Sequence, residues 1–559
     1  MGFGQTTGSI VGRIVDPDGN GLPGVTVEAT SPSLQGTRSA VTQSDGGYRF
    51  PALPPGPYRV RTALPGFRTA EVGATVSLDA TAMVDIAMKL ATEEQIVVHG
   101  EAPLIDSTST TTGTNYTSKV IAQLPTARNY ADIVMANPGV ATDRGATEGR
   151  SLTLSIYGAT SAENQWIIDG VNTTNVMKGV QGKAINNEFV QEVEVKTGGY
   201  QAEYGRALGG VVNVITKSGG NEYHGDGFVY FDSTGTAAEK QFRPGDTGIA
   251  SMRVVDGERF DYGVDLGGYL LADRLWFFGA YNRVTINSEV SRLQSGGNVS
   301  TDARFPLDAA DNLYSGKLTW NPGSSTTVVA TVFADPTTSS GAAGADPRQG
   351  LGVGLVTPPV SLEPSTWYSE RFQGGTDFGI RASEIFGGKV IATVQGSYHK
   401  DQNDLTAPGG IRYEDQTCSG GTPDDPCTIR SYPLEPNSVT GGFGSISNFA
   451  YTPGTSERRQ FAAGASLYAA DHEVKLGGDY QDGRTKTLQS YTGGQLVQIR
   501  NEFGQRYYVH QFFGAGPDDP TPVSGAATEA RVLDYGVYLQ DSWRPATNLT
   551  VNLGLRWDG

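Results

Sequence analysis

The side chains with the most chemical potential in this sequence are scattered rather than gathered. The five histidines, His99, His224, His399, His472 and His510, stand singly. None belongs to an HExxH zinc arrangement, and neither a GxSxG nucleophile elbow nor a P-loop or dinucleotide fingerprint occurs. Asp169 ends a WIID run before Gly170 with no second acid or base beside it, so it reads as the aspartate of a tight hairpin turn. DPDGNG, Asp16 to Gly21, matches the first half of a calcium loop. Its twelfth position is Val27 rather than Glu and no helical pattern flanks it, so a turn between strands is expected and no metal. An enzyme is not expected, nor a cofactor. Cys418 and Cys427 bracket CSGGTPDDPC, a spacing that fits neither a CxxC redox pair nor a zinc set. They are a disulfide candidate, and such a bond implies an oxidising compartment.

One further stretch offers main-chain chemistry. Within the acidic-then-polar segment Ala91 to Thr112, Glu94, Gln95, Ile96, Val97 and Val98 form a short β-prone island after Glu93. An extended island in a flexible tether is what a partner captures by strand addition, although the same residues would also serve as the first strand of the following domain.

The elements around these residues are mainly β. Of 559 residues 75 are Gly and 29 Pro, with 37% hydrophobic and 18% charged, which together with short alternating runs of Val, Tyr and Phe favours strands. The net charge of −17 argues against nucleic acid as a partner. No apolar run reaches the length of a transmembrane helix, which leaves barrel strands open. MGFGQTTGSI has neither the basic start nor the apolar core of a secretory signal, so a missing true N-terminus is expected.

Three zones follow one another. Residues 1–91 carry runs such as IVGRIV, GVTVEAT and PYRVRTAL separated by turn signals, the pattern of a small β-sandwich. A linker over 92–114 leads to residues 115–220, where a short helical YADIVMANPGV joins strands NQWIIDGVN, VQEVEVKTG and GGVVNVITK in an α+β domain. From 221 to 559 the pattern becomes long dyad alternation. Phe260, Tyr262, Val264, Leu266, Gly268 and Leu270 share one face, and Asp261, Gly263, Asp265 and Gly267 the other. Strands of about ten residues are expected, the length that crosses a tilted bilayer span. Short turns alternate with long links, roughly Asp232 to Arg259, Asn287 to Asp311, Ala334 to Glu370, Lys400 to Arg459 and Asp482 to Arg531. That alternation is the mark of an outer-membrane barrel with short periplasmic turns and long external loops.

NYADIVMANPGV, NQWIIDGVN and VQEVEVKTGGYQAEYGRALGGVVNVITKSGG, followed by the alternating strands, resemble a TonB-dependent outer-membrane receptor. The opening GSIVGRIVDPDGNGLPGVTV with SDGGYRFPALPPGPYRV resembles the carboxypeptidase-regulatory-like sandwich that precedes the plug in the Oar-like group. The resemblance departs from siderophore receptors at Tyr157-Gly158, where Arg-Gly is frequent, and at Gly198-Gly199, where Gly-Pro is frequent. It implies a sandwich, an α+β plug, and a transmembrane antiparallel barrel in the outer membrane of a Gram-negative-type bacterium. It implies that Glu94 to Val98 act as a TonB box that pairs with TonB in the periplasm. Plug apices would meet an extracellular peptide, carbohydrate or metal chelate, with Asp143, Arg144, Arg150, Asn172, Asn175, Lys178 and Asn186 as ligand-contact candidates. The alternating segments number about eleven where the family's barrels have twenty-two, so a fragment with about half a wall is expected. The competing reading from another class is a surface adhesin or matrix- and carbohydrate-binding β protein that does not transport.

Overall fold

A computed structural model describes residues 6–34, 36–91, 110–126, 128–143, 153–236, 252–293, 299–342, 368–406, 440–443, 454–469, 471–489, 496–502, 505–511, 513–516, 519–523, 526–546 and 549–559. The Glu94 to Val98 island, Arg144, Arg150, Cys418 and Cys427 lie outside the described residues.

The N-terminal sandwich packs two sheets face to face. One places Gly8–Val15 between Gly47–Leu53 and the short Thr81–Met83 and Ile86–Ala87 strands; the other runs Arg38–Val41, Thr26–Thr30, Gly56–Ala63, Ala70–Val76. Strict alternation in GPYRVRTA buries Tyr58 and Val60 against Ile10, Ile14 and Phe50 while Arg59 and Arg61 face outward. DPDGNG is a turn: Asp16 Oδ1 accepts from the main-chain N–H groups of Asp18 and Asn20.

The central domain has a five-stranded sheet ordered Val171–Asn172, Gln165–Ile168, Val211–Thr216, Val190–Gly198, Thr112–Thr117. Every residue of Val211–Thr216 is buried, because it is the middle strand and both its faces are covered. Gly209 and Gly210 lead into it. A Cβ at Gly209 would stand 2.3 Å from Asn164 Oδ1, and one at Gly210 would stand 2.3 Å from Ile156 Cδ1. Only glycine allows that approach. The helix Tyr130–Met135 covers this sheet, its first turn capped by the Asn129 side chain, which accepts from the N–H of Ala131.

From Gly227 onward the described residues build one antiparallel sheet of 13 strands, together with two small sheets of three and two strands. Two wall positions are each split. Thr326–Ala334 and Thr337–Ala342 both pair with Val299–Trp320, and Tyr368–Gly374 and Thr376–Phe386 both pair with Val390–Thr406. The 13 strands therefore fill eleven positions, the number expected from the alternation. The faces divide as the sequence indicates. Phe260, Tyr262, Val264, Leu266 and Leu270 are exposed on the outer surface, whereas Asp261 and Asp265 are 2% exposed on the inner one.

Several wall strands are much longer than ten residues, and this corrects the expected link between Asn287 and Asp311. Met252–Leu271 has 20 residues and Val299–Trp320 has 22. Most of Asn287 to Asp311 is ladder, with Asn287 opposite Asp308 and Ser291 opposite Arg304. About ten residues suffice to cross lipid. Beyond that thickness the ladder still satisfies main-chain groups, but an apolar face is no longer required, so the alternation fades while the strand continues.

The wall curves around the central domain, which contacts it from Phe228 near its start to Arg556 near its end. The sandwich sits at the short-turn end: Arg38 Nη1 donates to Ser324 O at 2.7 Å in one turn, and Arg49 lies 3.8 Å from Glu473 beside another.

Candidate functional site

The candidate site is the contact between central domain and wall. Phe333, Phe228, Ala280 and Leu313 of the wall pack against the plug core, and the rest of the contact described below is polar. The hairpin at Asp169-Gly170 needs left-handed backbone, with φ of 49° and 84°, which Asp and Gly adopt at low cost. That turn aims Asp169 back at Val211–Thr216. Its Oδ2 accepts from Thr216 Oγ1 at 2.6 Å and its Oδ1 from Lys317 Nζ of the wall at 2.8 Å. Next to it Gln395 Nε2 donates to Gly170 O at 2.6 Å. Further along, Arg458 Nη1 donates to the carbonyls of Asn172 and Thr174, at 3.1 and 2.8 Å. Asn172 also meets Gln460 and Gln481, both at 3.3 Å.

Lys183 is the most deeply buried of these contacts, with no exposed side-chain surface. Its Nζ donates to Lys400 O at 2.6 Å and Asp335 Oδ1 at 3.3 Å, with Asp377 at 4.0 Å and Asp401 at 3.9 Å. The two split wall positions make room for it. The breaks fall at Asp335-Pro336 and at Gly375, where the ladder is interrupted and a Cβ on Gly375 would stand 3.0 Å from Lys183 Nζ. Asp335 also accepts from the N–H groups of Ala184 and Gly375, at 2.9 and 3.0 Å. Nearby His399 Nδ1 lies 2.8 Å from Asp377 Oδ1.

At the short-turn end Lys475 Nζ donates to Gln201 Oε1 and Glu203 Oε1, at 3.1 and 3.2 Å. Burial raises the Glu203 carboxyl above its usual range, opposed by the Lys475 charge. Here the sandwich meets the central domain. Glu192 Oε1 accepts from Leu78 N at 2.9 Å and Asn115 Nδ2 at 2.7 Å. Lys196 Nζ donates to Asp79 Oδ2 and Glu194 Oε1, both at 2.6 Å. Burial pushes Glu192 up to about 7, although the hydrogen bonds from Leu78 and Asn115 oppose it. Burial alone would lower Lys196, but Asp79 and Glu194 together raise it.

The sequence-predicted residues divide in this setting. Asn172 is 1% exposed and spends its amide on the wall, and Asn186 is 2% exposed and caps the short helix Asn187–Phe189. Both are buried in these contacts. Asp143, Asn175 and Lys178 are partly exposed. Asp143 Oδ2 accepts from Ser161 N, and Asn175 Nδ2 donates to Asp401 Oδ2 at 2.8 Å. Lys183, Asp335, Arg458 and the Glu192–Lys196 group escape sequence reasoning. A signal was present for the last group: in VQEVEVKTG the charges at 192, 194 and 196 share one face while Val193 and Val195 fill the core, which marks a second buried interface.

Among the described residues of this contact no nucleophile is paired with a base. What the contact can do is hold one body inside another by hydrogen bonds to main-chain carbonyls. A neutral bond such as that of Gln395 is worth about 0.5–1.5 kcal/mol net and one with a charged donor, as at Lys183, Lys317 or Arg458, about 1.5–3 kcal/mol, because water replaces the partner when the contact parts.

Family models place these features. A carboxypeptidase regulatory-like domain matches residues 9–89, a TonB-dependent receptor plug domain residues 105–211, and an outer membrane beta barrel domain residues 215–347 and 292–559. The TonB-dependent transporter Oar of Myxococcus xanthus is 28% identical over the whole chain, which spans 58% of that protein's length. The ferrienterobactin receptor of Escherichia coli is 33% identical over 132 residues, 21% of this chain and 18% of the receptor. Among solved structures, the outer membrane transporter YddB of Escherichia coli aligns with a TM-score of 0.55 at 15% identity, over 80% of this chain and 56% of that one, a likeness of fold. Sandwich, plug and lipid-facing wall, in this order and with these matches, make the chain an outer-membrane member of the TonB-dependent receptor family.

Proposed function

We propose that the chain is the sandwich, plug and wall portion of a TonB-coupled transporter that moves an extracellular solute across the outer membrane. The observation that carries this reading is the polar plug–wall contact: Lys317, Gln395, Arg458 and Gln460 of the wall grip plug groups through exchangeable hydrogen bonds. A plug so held stays in place at rest and rearranges under a directed pull. The domains we assign are 1–91, 92–114, 115–220 and 221–559. Glu94 to Val98 are the segment on which TonB adds a strand, drawing on the inner-membrane proton gradient. The solute is a peptide, a carbohydrate or a metal chelate, and the partly exposed Asp143, Asn175 and Lys178 are its first contacts on the plug.

The test is titration of the periplasmic domain of TonB onto the purified receptor, with and without residues Glu93 to Val98. Saturable binding that disappears with the deletion supports the proposal. Equal binding by both forms removes it.

A further inference from the structure

We propose that the N-terminal sandwich is a cover on the periplasmic face of the plug, and that the pull which peels the plug's edge strand also releases it. The inference rests on the transporter reading and adds to it a role for the sandwich.

Three observations converge. The first is a cavity of about 1160 Å³ at the short-turn end, lined by Pro32 and Tyr58 of the sandwich, Thr216 of the plug, and Lys317, Thr319 and Arg381 of the wall. The docked sandwich thus forms one side of the space beneath the plug, and a solute leaving by that route meets it. The second is how the sandwich is held. Among the described residues its side-chain contacts with the wall lie at the surface: Arg38 on the Ser324 carbonyl, and Arg49 beside Glu473 and over the Tyr468 ring at 4.5 Å. The buried hold is on the plug, where Leu78 and Asp79 engage Glu192 and Lys196. Leu78 is 1% exposed.

The third is which plug strand completes that hold. Asn115 Nδ2 donates both to Glu192 Oε1 and to Leu78 O, the latter at 3.2 Å. Asn115 belongs to Thr112–Thr117, the edge strand, whose one partner among the described residues is Val190–Gly198. Edge strands leave a sheet most readily, since one ladder rather than two must open. The connection 92–111 joins the sandwich at one end to this strand at the other. A pull applied between them loads both at once, and both loads meet at the Leu78–Glu192–Asn115 contact. When the edge strand leaves, Asn115 leaves with it. Glu192 then keeps a single donor from the sandwich, and Leu78 O loses the Asn115 amide.

The experiment uses the full chain in lipid, with hydrogen exchange read by mass spectrometry and a spin-label distance between Val41→Cys on the sandwich and Gly323→Cys in a wall turn. Neither TonB nor a solute is needed, so the outcome is independent of whether the transporter reading holds. The variants are Asn115→Ala on the edge strand, Asp79→Asn on the sandwich and Lys196→Met on the plug. Exchange at Val193–Val195 reports whether the plug remains folded. If Lys196→Met unfolds it, Asp79→Asn weakens the same ion contact without altering the plug. The expected result is exchange at Ser77–Ala80 at least tenfold faster in Asn115→Ala and Asp79→Asn, with the 41–323 distance becoming longer and broader. Exchange and distance unchanged in both variants would overturn the cover. A response to Asp79→Asn but not to Asn115→Ala would overturn the coupling to the edge strand.

Discussion

Replacing Lys183 by Met isolates what a single plug–wall anchor contributes. The side chain is fully buried and its Nζ faces Asp335, Asp377 and Asp401. Removing one partner of a buried ion contact costs about 3–5 kcal/mol, chiefly because the remaining charges are left buried. Two features place the expected value near the lower end. Asp335 retains the N–H groups of Ala184 and Gly375, and Asp377 retains His399 Nδ1 and the N–H of Lys400 at 3.1 Å. At about 1.4 kcal/mol per tenfold, a loss of about 3 kcal/mol is roughly two orders of magnitude in the local opening equilibrium. The assay is hydrogen exchange at the Ala184 amide, which donates to Asp335. Protection should fall about a hundredfold in Lys183→Met. It should be partly restored when Asp335→Asn is added, which removes one of the stranded charges. Protection within threefold of the parent chain would refute the reasoning, because it would mean that the buried lysine does not hold the plug to the wall.

Leu539→Arg places a charge on the lipid-facing side of a wall strand, where Leu539 is exposed and its neighbour Gln540 is buried inward. The wall should lose about 2–4 kcal/mol of folding free energy in liposomes if the position is near the midplane, measured by denaturant titration; no loss would argue against lipid on that face. Gly209→Val forces a side chain onto Asn164 Oδ1 and Ala159 Cβ, 2.3 and 2.9 Å from an ideal Cβ. Overpacking of this kind should cost about 1–3 kcal/mol, read as a lowered plug unfolding midpoint. The sandwich–plug contact should depend on pH through Glu192, which burial raises from 4.5 to about 7 and which faces Glu194, Asn115 and Leu78. A raised acid binds more protons docked than free, so the contribution of Glu192 to docking is full below about 4.5 and is lost as pH rises through about 7. In Glu192→Gln that dependence should flatten, measured by exchange at Leu78 between pH 5 and 8; an unchanged slope would remove Glu192 as its source.

Much of the architecture was legible because it depends on local periodicity. A period of two with Phe260, Tyr262 and Val264 outward and Asp261 and Asp265 inward is a property of consecutive residues, and so is the Asp169-Gly170 turn. Strand length was not legible, since a ladder in water continues without an apolar face, as Val299–Trp320 does. The plug–wall partners were hidden for another reason. Lys183 and Asp335 are 152 residues apart, and Asn172 and Gln481 309 apart, so no spacing in the chain announces them. Asn172 looked like an apex residue available to a ligand, but the curvature of the wall brings Gln460, Gln481 and Arg458 over it. The sequence by itself determined which faces are apolar, where turns fall and the order of sandwich, plug and wall, because these follow from neighbouring side chains. Tertiary structure alone decided which charges are buried together, because that depends on how a long sheet bends around the domain that precedes it.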